Sequence, residues 1–128
     1  MPAADCLERL GDVPYAELLE ILHRVDVAVI PFRDTHHTRV VESVKVCEYL
    51  AACKQVVASR LPPLERHSWP LRFATTPGEW FVQLDAAVAA GPDCPAARRF
   101  VQDHTWQHRF QELSGALTPL VMEKRRSV

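Results

Sequence analysis

Lys45 and Glu48 stand three residues apart near the start of an apolar stretch, Ser43-Val-Lys-Val-Cys-Glu-Tyr-Leu-Ala-Ala-Cys53. In a helix, residues at i and i+3 share a face. The first turn of a helix carries N–H groups without intrahelical partners and the positive end of the helix dipole, which together attract phosphate. Ser43 is placed to cap such a helix, leaving the N–H groups of Val44 and Lys45 for an anion. A cation at Lys45 opposes the dipole by about 0.3–1 kcal/mol, and an anionic ligand would remove the conflict. One turn later, the Glu48 carboxylate could accept hydrogen bonds from two ribose hydroxyls. The competing reading is a Lys45–Glu48 surface ion pair worth about 0.2–0.5 kcal/mol. Spacing alone favours the surface pair.

Other reactive side chains carry less. His36 and His37 are adjacent and would point in opposite directions on a strand; a solvated loop suits them, and no convergent ligand set accompanies them, so no metal site is expected. Cys6, Cys47, Cys53 and Cys94 are scattered, without a CxxC pair, which fits a reducing, cytoplasmic compartment. Cys47 and Cys53 fall on different helix stripes and read as core residues. Trp69, Trp80 and Trp106 read as packing residues, with Trp106 a candidate to face another domain.

These residues need elements to position them. Val27 to Ile30 is a continuous β-branched and apolar run closed by Pro31, which suits a strand buried on both faces of a parallel sheet. Leu7 to Val13 reads as an earlier strand ending at Gly11-Asp12. A helix is expected from Pro14, with Asp12 or Val13 near its cap and an apolar stripe at Tyr15, Leu18, Leu19, Leu22 and Val25. Glu42 to Cys53 reads as a helix apolar over most of its girth and therefore deeply buried. One of its stripes is Val46, Tyr49, Leu50 and Cys53, the other Val44, Cys47 and Ala51. Gln55–Ala58 and Arg72–Thr75 are the next strands, separated by a Leu61-Pro62-Pro63 turn. Thr76-Pro77-Gly78-Glu79 has the form of a capping box and opens a helix that ends at Gly91-Pro92. From Pro95 to about Leu117 the chain is helical, but its apolar phase slips near His104, and Thr105 can cap a second helix there.

The resulting order is strand, helix, strand, helix, strand, strand, helix, helix. Such alternation predicts an α/β fold, a Rossmann-like parallel sheet with helices on both faces. In such sheets ligands bind beyond the carboxyl ends of the strands, which here means the loop after Phe32 and the helix that begins near Ser43. With 128 residues the chain is sized for one domain. A net charge of −1 gives no basic field to draw nucleic acid. The C-terminal EKRRSV is a short basic tail, a solvated helix end or a peripheral contact with anionic lipid at the inner face of the membrane. No apolar run reaches the roughly 20 residues that span a bilayer. No GxGxxG and no acidic cluster after an early strand is present, which argues against a dinucleotide-binding or receiver-like domain.

Three segments together resemble a family. Gly11-Asp-Val-Pro-Tyr-Ala-Glu-Leu-Leu, Asp26-Val-Ala-Val-Ile-Pro-Phe and Ser43-Val-Lys-Val-Cys-Glu-Tyr-Leu-Ala-Ala-Cys-Lys-Gln-Val-Val follow in the order found in the C-terminal half of retaining GT-B glycosyltransferases. His104-Thr-Trp-Gln-His-Arg-Phe-Gln-Glu-Leu113 is similar to the closing helix of that family. The resemblance covers residues 7 to 117, so residues 1–117 are expected to be a partial, nucleotide-sugar-binding C-terminal domain of a GT-B fold and residues 118–128 its tail. It implies that Glu48 holds the ribose of a nucleotide-diphosphate sugar, that Ser43 and Val44 bring backbone to the diphosphate, that Lys45 contacts phosphate, and that Pro31 and Phe32 shape the donor pocket. It implies transfer of a glycosyl group to an acceptor, as in bacterial polysaccharide biosynthesis, with no cofactor beyond the donor. An N-terminal Rossmann-like domain or partner chain would bind the acceptor. Departures from the family pattern are Ser43 for a proline, Cys53 for a helix-ending glycine, Gln55 for a proline, and Val40 where an earlier glutamate is usual, with Glu42 nearby but out of register. A non-catalytic remnant or interaction module is the alternative expectation.

Overall fold

Parallel pairing of three short strands organises the chain. The computed structural model describes residues 6–41 and 43–126. Strands β1 (Val27–Ile30), β2 (Gln55–Ser59) and β3 (Arg72–Ala74) form one sheet in the order β1-β2-β3, with Val29 opposite Val57 and Ala58 opposite Phe73. Around them lie α1 (Tyr15–His23), α2 (Val44–Ala51), α3 (Pro62–Glu65), α4 (Pro77–Ala90), α5 (Cys94–Asp103) and α6 (Trp106–Arg126). The fold is α/β with an open parallel sheet and helices on both faces. Among the described residues no helix is long and apolar enough to cross a membrane.

Alternation along β2 explains the two layers. Val56 and Ala58 point to one face, where Ile30 of β1, Val46 and Leu50 of α2, Leu61, Leu64 of α3, Trp69 and Ala97 of α5 close the main core. Val57 points to the other, where it meets Ala74 of β3 and Ala87 of α4, with Trp80 and Leu84 packed alongside. Val56, Val57 and Ala58 are wholly buried, as a central parallel strand requires. Trp69 and Trp80 are therefore the packing residues expected of them.

The expected strand over Leu7–Val13 does not form. Residues 7–13 are irregular, Gly11 turns at φ 67°, and Leu7 and Leu10 are exposed. An apolar run makes a strand only when a neighbour takes its backbone hydrogen bonds, and none of the described strands pairs with it. Pro14 is the cap of α1 rather than its first-turn residue. Of the α1 stripe only Leu22 is buried, while Tyr15 and Leu19 are exposed.

The helix expected from Glu42 to Cys53 spans Val44–Ala51, and Glu42 lies outside the described residues. Its burial is one-sided: Val46 and Leu50 are core, Cys47, Glu48 and Tyr49 are half-buried, and Val44 is 61% exposed. The second apolar stripe faces a groove instead of core. Beyond the helix, Cys53 adopts φ 59°, with its N–H donating to Leu50 O at 2.9 Å and that of Lys54 to Tyr49 O at 3.0 Å. This is a Schellman ending with cysteine in the left-handed seat that glycine usually takes.

Pro62 and Pro63 open a short helix, α3, where a turn was expected; proline suits the first turn because it needs no N–H partner there. The capping box at Thr76 and Glu79 is formed in both directions, and α4 ends at Gly91 with φ 67°. The phase slip near His104 is a break between α5 and α6, and the Thr105 hydroxyl accepts from the His108 N–H at 3.1 Å. α6 continues past Leu117 to Arg126, through Pro119.

Candidate functional site

Immediately after the carboxyl end of β1, Pro31 and Phe32 lead into a polar loop. Thr35 and Thr38 exchange hydrogen bonds, with the Thr35 N–H donating to Thr38 Oγ1 at 2.9 Å and the Thr38 hydroxyl donating to Arg33 O at 2.6 Å. Arg39 grips Asp34 with two bonds, Nε to Oδ1 at 2.6 Å and a second guanidinium N–H to Oδ2 at 2.8 Å. That grip holds the Asp34 carboxyl below the usual carboxylate range and raises Arg39. His36 and His37 are exposed on this loop. Among the described residues no group of three or more His, Cys, Asp and Glu side chains is arranged to hold a metal.

The loop delivers the chain to Ser43, and α2 starts there. Ser43 is buried, yet its side chain makes no cap hydrogen bond. The expected side-chain cap is not made; the Ser43 carbonyl instead accepts from the Val46 N–H at 3.1 Å, in a tightened first turn. Along the outer face of α2 runs a groove of about 580 Å3. Ser43, Val44, Cys47, Glu48 and Ala51 form its α2 wall, and Val101, His104, Thr105, Trp106 and Arg109 form the opposite wall, with Trp69 and Tyr15 completing it.

Three of the residues singled out from the sequence, Ser43, Val44 and Glu48, thus share one groove. The other three do not join them. Lys45 is exposed in the first turn of α2 without lining the groove, Pro31 is exposed, and Phe32 packs against the main core. Among the described residues neither Lys45 nor Glu48 takes part in an ion pair, so the simple surface-pair reading of their spacing finds no support.

The opposite wall was not anticipated as binding surface. His104 stacks on Phe100 at 3.8 Å between ring centroids and donates from Nδ1–H to Phe100 O, 2.8 Å away. Trp69 leans on Phe100 at 4.4 Å and on His104 at 5.5 Å, while its own Nε1 is buried without a partner among the described residues. Trp106, read as a packing residue or one facing another domain, is 83% exposed at the rim and packs little within this fold. The sequence signals for this wall are the likeness of His104 to Leu113 to a closing helix and the phase slip at His104, beyond which α6 presents Trp106 and Arg109 to the groove.

Chemically the groove offers apolar and aromatic walls for a planar or hydrophobic ligand, with a carboxylate at Glu48 and a guanidinium at Arg109 on opposite sides. Such a pairing suits a ligand that presents hydroxyls to one side and anionic oxygens to the other. A smaller hollow of about 250 Å3 lies among Lys54, Gln55, Arg72 and Asp93, at the amino ends of β2 and β3. Open α/β sheets bind ligands at the other end of their strands, so the larger groove is the better candidate. Among known proteins, no family model, no curated protein and no solved structure matches the chain.

Proposed function

We propose that this chain is the donor half-site of a GT-B glycosyltransferase, binding a nucleotide-diphosphate sugar in the groove along α2. The observation that carries the proposal is the convergence of Ser43, Val44 and Glu48 on one groove next to the first turn of α2, opposite Arg109. In this reading Glu48 accepts hydrogen bonds from the ribose hydroxyls. The diphosphate lies toward the helix start, where the dipole and unpaired N–H groups favour negative charge. The Val44, Cys47 and Ala51 stripe gives the ligand an apolar surface. Lys45, at the rim of the same turn, meets phosphate by swinging its long side chain. Arg109 is the second cation within reach of the anion.

Donor binding alone does not transfer a sugar. The acceptor has to be held against the anomeric carbon, and positioning supplies a large share of the rate. In this reading a second Rossmann-like domain or a partner chain brings the acceptor, and the isolated chain is inactive. The setting is the cytoplasm or the inner membrane face, with polysaccharide synthesis as the context and no cofactor beyond the donor.

Calorimetric titration with uridine diphosphate and guanosine diphosphate tests the reading. Wild type should bind one of them, and Glu48→Ala should weaken it roughly 10- to 100-fold, the loss of a charge-assisted hydrogen bond worth about 1.5–3 kcal/mol. Absence of binding by a protein that includes the acceptor domain would sink the proposal. A second reading, a non-catalytic interaction module, is favoured by Val40. It is 69% exposed and outside the groove, and it stands where a second carboxylate would be expected. A stable monomer in size-exclusion chromatography with no affinity for either nucleotide would select that reading.

A further inference from the structure

We propose that Cys53 and Cys94 close reversibly into an intramolecular disulfide, making the junction of α2 and α5 a thiol-oxidation site. Three observations place the two cysteines at adjoining helix ends, and a fourth agrees with them. α2 and α5 pack directly against each other on one face of the sheet, through Leu50 and Ala97 in the main core. Cys53 is the left-handed residue that ends α2, and Cys94 is the first residue of α5. Their chain neighbours Lys54 and Asp93 line the same small hollow. The Cys94 thiol is pushed above the usual thiol range, first by the neighbouring Cys53 thiol and then by partial burial. Both side chains are half-buried, within reach of a small oxidant, whereas Cys6 is exposed and Cys47 lies in the groove wall.

The oxidant is a low-molecular-weight disulfide such as oxidised glutathione. One thiolate of the pair attacks a glutathione sulfur; the glutathione S–S bond breaks, a mixed disulfide forms, and one glutathione leaves as thiolate. The second protein thiolate then attacks the protein sulfur of that mixed disulfide. This closes the Cys53–Cys94 bond and expels the second glutathione. Across both steps the two cysteines give up two protons and two electrons, and the glutathione disulfide takes up the electrons as its bond is cleaved. Because the attacking species is a thiolate, and Cys94 keeps its proton to a higher pH than an ordinary thiol, closure accelerates as pH rises.

The bond would tie the end of α2 to the start of α5, and α2 and α5 both contribute to the walls of the large groove. It also closes a loop containing β2, α3, β3 and α4. The inference stands independently of what the groove binds.

The test is incubation of the whole chain with oxidised glutathione, followed by peptide mapping under non-reducing conditions and thermal unfolding. Wild type and a Cys6→Ser/Cys47→Ala double variant should each yield a linked peptide joining 53 to 94, and the double variant should lose two hydrogens without gaining glutathione. Their unfolding midpoints should rise by on the order of 10 °C and fall back with dithiothreitol. Cys53→Ser and Cys94→Ser should each trap one glutathione on the remaining cysteine of the pair and show no rise. Two separate glutathione adducts in the double variant, no modification, or a link through Cys6 or Cys47 in wild type would overturn the proposal. If a single variant fails to fold, the linked peptide in wild type decides the matter.

Discussion

Cys53 holds a conformation that side chains with a Cβ resist. At φ 59° the left-handed region costs a non-glycine residue roughly 1–2 kcal/mol, and the Schellman hydrogen bonds at the end of α2 hold it there. Cys53→Gly should therefore stabilise the reduced protein by about 1 kcal/mol, less a few tenths for the added freedom of the unfolded chain. Urea unfolding in reducing buffer measures it, and an unchanged or lower midpoint would mean that the contact with Cys94 outweighs the backbone strain. Asp34 makes a pH prediction at the same scale. Its folded-state pKa is lowered, first by the hydrogen bond from Arg39, so its contribution to loop order is present above the ordinary Asp pKa and lost as pH falls through the lowered value. Carboxyl carbon shifts should titrate below the usual Asp range in wild type and return to it in Arg39→Met. Individual residues were only partly readable in advance. The sequence marked Cys53 as a departure from a glycine, and the structure shows the strain that departure implies. Lys45 and Glu48 lie three residues apart on one helix, yet only Glu48 borders the groove. Spacing says which residues share a helix face, but not where the opposing wall stands.

Elements were more legible, wherever a local device defines them. Thr76 and Glu79 sit at capping-box spacing around Pro77, and both hydrogen bonds form. Thr76→Ala should cost about 1 kcal/mol in urea-unfolding free energy, with Thr76→Ser nearly neutral; equal losses from both would show that the hydroxyl is not the cap. The break at His104 was legible for a similar reason, because the apolar phase shifts there and Thr105 supplies a cap. Residues 7–13 read as a strand yet stay irregular, because a strand is a relation between two segments and composition describes only one. The burial of α2 was overestimated because an apolar stripe looks the same whether it faces core or a groove. Pro119 sits inside α6, where it removes a backbone donor and crowds the preceding turn. The Thr118 hydroxyl donates to Ser114 O at 2.7 Å, one residue before the Gly115 carbonyl that lacks a donor from position 119. Pro119→Ala should increase helical circular dichroism, since the intrinsic penalty is about 3 kcal/mol. No gain would place the proline at an already frayed segment.

At the scale of the whole molecule, two kinds of apolar surface have to be distinguished. Val46, Leu50, Val56 and Val57 are buried between the sheet and its helices. Trp106, Phe110, Leu113, Leu117 and Leu120 recur along one side of α6 at alternating four- and three-residue spacing, and all are exposed, as are Tyr15 and Leu19 on α1. A surface of that regularity costs solubility and stabilises nothing within this fold. If the monomer is the complete cooperative unit, removing apolar groups from the two surfaces has opposite consequences. Val46→Ala deletes two buried methyl groups and should cost about 1–3 kcal/mol. Phe110→Gln and Leu117→Gln remove groups already in water, and each should change the unfolding free energy by no more than about 0.5 kcal/mol while raising solubility. Chemical denaturation at two protein concentrations checks this. A loss above about 1 kcal/mol for Phe110→Gln that grows with protein concentration would show that another molecule covers α6, because association contributes to stability only by mass action. Such coupling would also bear on the groove, since Trp106 and Arg109 in its wall belong to the first turn of that same helix. Whatever covers the α6 face would then set the shape of the groove that Glu48 borders, and under the donor-site proposal nucleotide affinity should rise with protein concentration in parallel with stability.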